Sequence, residues 1–303
     1  PETIALMKAA DQQGMINLDI ISYPIGQNGL DENIDSINFG KYEGRVKIGG
    51  IKLILDGSPQ GKTAYLTEPY YKPPHSESES YKGYPLIPQS EVSKWVKKYA
   101  ELYIPIMAHA NGDAAADMLI KAVNDAEITS DHRTIMIHAQ TVREDQLDQM
   151  EELKIIPSYF STHTFYWGDW HRDSVFGEER AMRISPTKST LNRKMPFTVH
   201  NDAPVVPPDM IRLLWSTTNR ETRSGKVLGE EQKISTHAAL EAMTINAAYQ
   251  HFEDDIKGSI QVGKLADLVV LSEDPLKLEV NDLLKLRVVA TYSHGKEIFN
   301  IKK

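Results

Sequence analysis

The 303 residues carry 34 Lys+Arg against 42 Asp+Glu, a formal net charge of -8, with 41% hydrophobic residues and no cysteine. That length and apolar content suit one large α/β domain or two smaller ones. The dispersed acidic excess leaves no basic footprint for nucleic acid, and no apolar run approaches a membrane span. The absence of cysteine excludes disulfides, thiolate metal sites and cysteine nucleophiles, so any metal falls to His, carboxylates or a rarer ligand.

In chain order, residues 2–14 place Ile4, Leu6, Met7 and Ala10 at helical spacing, and "MINLDIISYP" follows as a β-branched run ended by proline. "IKLIL" reads as a strand, and residues 68–88 as a proline-rich loop whose stretch 72–88 is placed to cover a site. A helix is expected from Ser90 as N-cap, burying Val92, Trp95, Val96, Tyr99 and Leu102. "YIPIMAHA" is a strand, followed by a Gly112-Asp113 turn and a helix with Met118, Leu119 and Val123 on its apolar side. "TIMIHAQ" is the next strand, and Thr141-Val-Arg-Glu144 reads as a capping box opening a helix with Leu147, Met150 and Leu153. "IIPSYF" and "PFTVHND" are further strands, and a helix is expected from Ser235 through Ala248. Strands alternating with helices over short turns predict a parallel sheet, open or closed as a barrel. From about Phe252 the pattern changes to short strands, with a hairpin signal at Ser293-His294-Gly295-Lys296.

Two lysines near "GGIKLILDGSPQGKTAYL" invite chemistry. Lys62 resembles the lysine of a phosphate-binding loop, but Gly57 and Gly61 enclose three residues where four are needed, and Pro69, Pro73 and Pro74 forbid the helix that must follow. Lys62 is therefore expected to be a turn residue. Lys52 shares a strand face with Ile54, opposite Ile51, Leu53 and Leu55, where it either snorkels or pairs with an acid, or serves a site. His109, His138 and Asp202 each close a strand. Singly each reads as a strand-end or capping residue. Jointly, on the carboxyl edge of a parallel sheet, two imidazoles, a carboxylate and a lysine suit a divalent metal that activates water.

With "IKLILDGS", "HANGD", "IHAQ", "THTFYWGDWHRD", "RISP", "HNDAPVVPPDM", "AMTINAAYQ" and "KGSIQVGKLADLVVL" in order, the chain resembles the metal-dependent amidohydrolase superfamily, in its YtcJ-like amidohydrolase 3 branch. The resemblance implies an α/β fold, a (β/α)8 TIM barrel with an appended small β-sandwich segment, and one or two divalent ions, commonly Zn2+. Residues 1–251 correspond to the barrel and 252–303 to the C-terminal part of a composite β-sandwich. By the same resemblance Lys52 matches a lysine carboxylated by CO2 to bridge two metals, and His109 and His138 match ligands of the second metal. Asp202 matches a ligand of the first metal that also relays the proton of the attacking water. His163, Trp167 and Asp169 either face the substrate or belong to an aromatic packing loop.

The family's first strand carries a His-x-His pair, and no two histidines here lie two apart. Counting back from Asp202 as the eighth strand makes "MINLDIISY" about the third. The first strands are then expected to lie outside this chain, Pro1 being no initiator methionine, and its own site to hold at most a single metal. A missing N-terminal segment or a homo-oligomer partner is expected to cover the open barrel edge. The expected activity is hydrolysis of an amide-like, non-peptide carbon-nitrogen bond in a small molecule, the alternative being a catalytically inactive regulatory or binding protein on the same fold. The compartment stays open between cytoplasm and periplasm.

Overall fold

A computed structural model describes residues 2–26, 34 and 37–302; the expectation drawn from Pro1 lies outside the described residues. The centre is a five-stranded parallel sheet of β4 (Ile51–Ile54), β5 (Ile106–Ala110), β6 (Ile135–His138), β7 (Ile156–Tyr159) and β8 (Thr198–Val199), in that order. It is preceded by α1 (Glu2–Gln12), β1 (Ile20–Ser22), β2 (Tyr42–Glu43) and β3 (Val46–Ile48). β1 pairs with β3, and the chain running on from β1 bridges at Ile25 to Lys52, which sets this segment beside β4 as the strand count expects.

Helices follow the strands: α2 (Gln89–Glu101) after β4, α3 (Asp113–Asp125) after β5, α4 (Glu144–Glu152) after β6, and α5 (His163–Trp170), α6 (Glu178–Met182) and α7 (Thr187–Asn192) after β7. α8 (Met210–Asn219), α9 (Thr236–Met243) and α10 (Ile245–Gln250) succeed β8, and β9 (Leu268–Leu271), β10 (Val288–Ser293) and β11 (Lys296–Asn300) form a separate antiparallel sheet. Alternating parallel strands and helices with this appended β segment match the (β/α)8-like fold expected. The hairpin at His294-Gly295 forms with both residues at positive φ, 50° and 77°, as a tight two-residue connection requires.

The strand alternation holds. Ile51, Leu53 and Leu55 are fully buried beneath the helices, whereas Lys52 and Ile54 stay partly open on the other face. Val92, Val96 and Tyr99 of α2 and Leu119 and Val123 of α3 join the same core.

Several local expectations are corrected. α2 starts one residue earlier, with Pro88 as its N-cap, so Ser90 lies inside the helix; Leu102, at the C-cap, is exposed. Proline at that position has no N–H to satisfy and a φ already suited to helix entry. α4 is capped by Arg143 and Gln146, the Arg143 N–H donating to Gln146 Oε1 at 3.0 Å, because the Thr141 hydroxyl is drawn instead to the Asn111 carbonyl. The helix expected through Ala248 is broken at Thr244, whose φ of -124° and ψ of -90° separate α9 from α10.

Beneath the sheet, toward the N-terminal ends of its strands, charges are paired. Lys47 Nζ meets Glu253 Oε1 at 2.5 Å, both nearly buried, and Lys257 bridges Glu253 Oε2 at 3.1 Å and Asp19 Oδ2 at 2.5 Å. This network ties β3 to the segment after α10.

Candidate functional site

The imidazoles of interest and Asp202 sit at the carboxyl edge of the sheet, with Lys52 two residues deeper on β4 than the register of His109. His109 follows the inward parity of Lys52 and Ile54, its Cα paired with Ile54. His138 is paired with Ala110, whose side chain is buried on the helix side, so regular strand geometry would turn the imidazole away from His109. A left-handed φ of 74° at His138, continued by 46° at Ala139, redirects the ring. Such backbone strain in non-glycine residues concentrates where function fixes a side chain. Asp202, at φ 56°, is a third example on this edge.

The result is a chain of imidazoles. His138 Nε2 lies 3.2 Å from His109 Nδ1, and His138 Nδ1 lies 3.1 Å from His200 Nε2. His109 Nε2 faces the Gly57 carbonyl at 3.0 Å, and His200 Nδ1 faces Ser158 Oγ at 2.9 Å. Burial holds these rings neutral: His109 is lowered to about 4 and His200 to about 3, while His138, buried among His109, His200 and His163, falls well below the ordinary range.

Lys52 is pushed down by burial and held partly up by the Asp202 charge; Asp202 is pushed up by burial and held partly down by Lys52. Asp56, at the end of the β4 segment, is fully enclosed. Its carboxylate accepts the backbone N–H groups of Asn111, Gly112 and Tyr65 at 2.8–2.9 Å, and burial still drives it up to about 7. It pins the turn that presents His109. Gly112 is required there, since a Cβ would come within 1.8 Å of the Tyr65 carbonyl oxygen.

His163 and Trp167 do join this neighbourhood through Phe160, whose ring centroid is 4.3 Å from His163, 6.2 Å from Trp167 and 5.6 Å from His200. His163 is buried, stacked on His171 at 5.4 Å, and burial keeps it neutral. Asp169 is not brought to the imidazoles: its oxygens accept from Thr222, at 3.0 Å, and from Ser224, at 2.7 Å and 3.1 Å, and meet Arg172 at 3.2 Å. Lys62 is a turn residue at φ 56°, its ammonium on the Lys72 carbonyl and Ser174 Oγ.

Does the donor set fit a divalent metal? Tetrahedral zinc with Zn–N near 2.0–2.1 Å places neighbouring ligand nitrogens about 3.3 Å apart, and the 3.2 Å between His109 Nδ1 and His138 Nε2 matches. Neutral imidazoles are the ligating form. Among the described residues, only Asp19, Asp267 and His294 bring three imidazole or carboxylate atoms within 4.8 Å of one another, so Asp202 does not join His109 and His138 at that spacing. That second cluster is a candidate for a divalent cation by composition. It sits at the opposite end of the strands, and Asp19 is already met by Lys257 at 2.5 Å, Arg45 at 3.1 Å and His294 at 2.9 Å.

Three side chains on this edge escape a reading by strand pattern. His200 precedes Asn-Asp and looks like any strand-end histidine; its inward parity with Thr198 and Asp202 is the one available signal. Asn111 Oδ1 and Gln140 Oε1 are buried without a hydrogen-bond partner directly after the two imidazole strands, unspent acceptors beside the site.

The fold and this edge define a metal-dependent hydrolase scaffold, and the chain belongs to the amidohydrolase family, whose model matches residues 1–299. Among individual relatives, it is 26% identical over 223 residues to the N-substituted formamide deformylase of Arthrobacter pascens, covering 73% of this chain and 41% of that one. It is 24% identical over 260 residues to the putative amidohydrolase YtcJ of Bacillus subtilis (strain 168), covering 84% and 47%. The chain thus spans about half the length of the curated relatives it matches. An uncharacterized metal-dependent hydrolase from Pyrococcus horikoshii OT3 superposes with a TM-score of 0.79 at 26% identity, covering 93% of this chain and 56% of that one.

Proposed function

We propose that this chain carries catalytic strand ends of a YtcJ-like, metal-dependent hydrolase that cleaves an amide-like, non-peptide carbon-nitrogen bond of a small molecule. The observation that carries the reading is the pair of neutral imidazoles, His138 buried and His109 half-buried, with facing nitrogens 3.2 Å apart at the carboxyl edge of a parallel sheet. The name of the Arthrobacter relative, a deformylase of N-substituted formamides, supports the bond type.

His109 and His138 would hold a divalent ion, zinc by family resemblance, which supplies Lewis acidity toward the scissile carbonyl and the attacking water. Asp202, made more basic by burial, takes a proton from that water and returns it to the leaving nitrogen. Lys52 and Asp202 feel each other's charge. Burial enlarges the share of Lys52 present as free amine, the form that adds CO2 to give an anionic carbamate and one proton. His163 and Trp167 form an aromatic wall for the substrate. Residues 1–251 carry the chemistry and 252–303 complete a β-sandwich. β8, paired with β7 alone among the described residues, offers its other edge to a further segment or a second copy.

The test is metal content by elemental analysis together with hydrolysis of formamides, hydantoins and N-acyl amino acids, made on the full-length protein. Bound zinc with turnover of at least one class is the expected outcome. A metal-free protein inert across the panel would overturn the reading in favour of a binding or regulatory role.

A further inference from the structure

Hydrogen positions along the imidazole chain follow from its ends. His109 Nε2 faces two acceptors, the Gly57 carbonyl at 3.0 Å and Asp56 Oδ1 at 3.4 Å, so this nitrogen carries the hydrogen. The Asn111 Nδ2 group lies 3.1 Å from the same nitrogen and gives one of its two hydrogens to the Gly57 carbonyl at 2.9 Å; the carbonyl, which can only accept, decides the tautomer. A neutral imidazole has one N–H, and His109 Nδ1 therefore turns a lone pair toward His138. His138 Nε2 must donate across the 3.2 Å contact, which leaves His138 Nδ1 to accept from His200 Nε2 at 3.1 Å. His200 Nδ1 then accepts from the Ser158 hydroxyl at 2.9 Å. All four bonds point one way, from Ser158 to Gly57, and no lone pair opposes another.

We infer that His200 and Ser158 are positioning residues that let His138 exchange the nitrogen it leaves free to ligate, a role that rests on the metal reading above. A cation shared by His109 Nδ1 and His138 Nε2 needs a lone pair on each. His109 already offers one; His138 does not. The Ser158–His200 pair supplies the exchange. The hydrogen of His200 Nε2 passes to His138 Nδ1, and the Ser158 hydroxyl hydrogen passes to His200 Nδ1. The proton released from His138 Nε2 is matched by one regained at Ser158 Oγ from solvent. The proton count is unchanged, every ring stays neutral, and only the direction between Ser158 and His138 reverses.

Metal-ligating histidines are commonly oriented by a carboxylate or backbone carbonyl, which accepts only. A carbonyl at this place would satisfy one tautomer and oppose the other. An imidazole backed by a hydroxyl satisfies both, so the nitrogens shared between His138 and His200 stay paired in the metal-free and the metal-bound forms.

The experiment is a two-bond 1H–15N correlation on the whole chain labelled with 15N-histidine, before and after one equivalent of Zn2+. Expected are an Nε2–H tautomer at His138 and His200 without metal, and Nδ1–H at both with zinc. In His200→Phe, zinc affinity falls about 10–100-fold and the metal-free tautomer preference of His138 weakens. In the milder Ser158→Ala, His200 loses its preference while the fold is kept. An Nδ1–H tautomer of His138 in the metal-free wild type, or a His138 tautomer and zinc affinity unmoved in both variants, would overturn the assignment. Failure of the wild type to bind zinc sinks the metal reading instead, and the metal-free tautomers still decide whether the relay exists.

Discussion

The two ends of the parallel sheet use the same residue types to opposite effect. At the carboxyl edge His138 and His163 are buried, His109 and His200 half-buried, and desolvation keeps all four neutral; Lys52 and Asp202 are each displaced toward their uncharged forms. At the other end buried Lys47 and Glu253 and half-buried Lys257 and Asp19 are joined in ion pairs; Glu253 and Asp19 are held below the usual carboxylate range because their cation partners outweigh burial. Burial alone therefore does not separate structure from chemistry. The difference is partnership: a buried charge with an opposite charge in contact is fixed, whereas a buried group without one stays poised to gain or lose a proton.

The largest effect that tests this contrast is on activity. Asp202→Asn is expected to reduce hydrolysis by about 10²–10⁴-fold, the usual share of general acid-base catalysis, with an unchanged unfolding midpoint; assay and denaturant titration together read it. At the paired end the expectation inverts. Glu253→Gln leaves Lys47 buried with the His251 carbonyl at 3.0 Å as its hydrogen-bond partner, and breaking a buried ion pair costs about 3–5 kcal/mol. Denaturant midpoints read that loss, and a midpoint unmoved by Glu253→Gln would place the network among ornamental ion pairs.

Acid separates the ends by pH. His171, lowered to about 3 by burial, binds its proton more readily in the unfolded chain, where it titrates near the ordinary 6.5. Its contribution is complete above that value and is lost as pH falls toward about 3. Glu253 and Asp19 are lowered carboxylates, so their contribution persists above the ordinary 4.5 and 3.8 and fades only below. Stability measured between pH 7 and pH 4.5 should thus decline through the imidazoles, and His171→Gln should flatten that slope. The smallest effect is expected at Lys62→Met. Surface contacts with the Lys72 carbonyl at 2.6 Å and the Trp170 ring at 4.8 Å predict a loss of about 1 kcal/mol or less. Nucleotide titration calorimetry should show no binding before or after the change.

What was legible in the sequence was whatever obeys a period. Strand order, the inward face of Lys52, and His109 and His138 at strand ends follow from alternation and from the rule that parallel sheets work at their carboxyl edge. What was not legible depends on contacts between distant segments. Thr141 looked like a cap because only the Asn111 carbonyl, thirty residues earlier, draws its hydroxyl away. Asp169 stood in a conspicuous aromatic stretch, yet Thr222 and Ser224 claim its oxygens. His200 gains meaning only beside Ser158 on the neighbouring strand, and Asp56, preceding a glycine, reads as an ordinary turn until its three amide partners are seen.

Those three amides have a mechanical consequence. Asp56 clamps Tyr65 to Asn111 and Gly112, and Asp113 takes both the amide and the hydroxyl of Thr67. Farther out, the Tyr71 and Lys72 amides bond to Val175 and Ser174 at 2.9 Å and 3.0 Å. The long connection after β4 is thus riveted at its root to the turn after β5 and along its flank to the helical segment that continues α5. It is built as a stiff collar and not as a flap, and deuterium should enter the Asn111, Gly112 and Tyr65 amides among the last on this face.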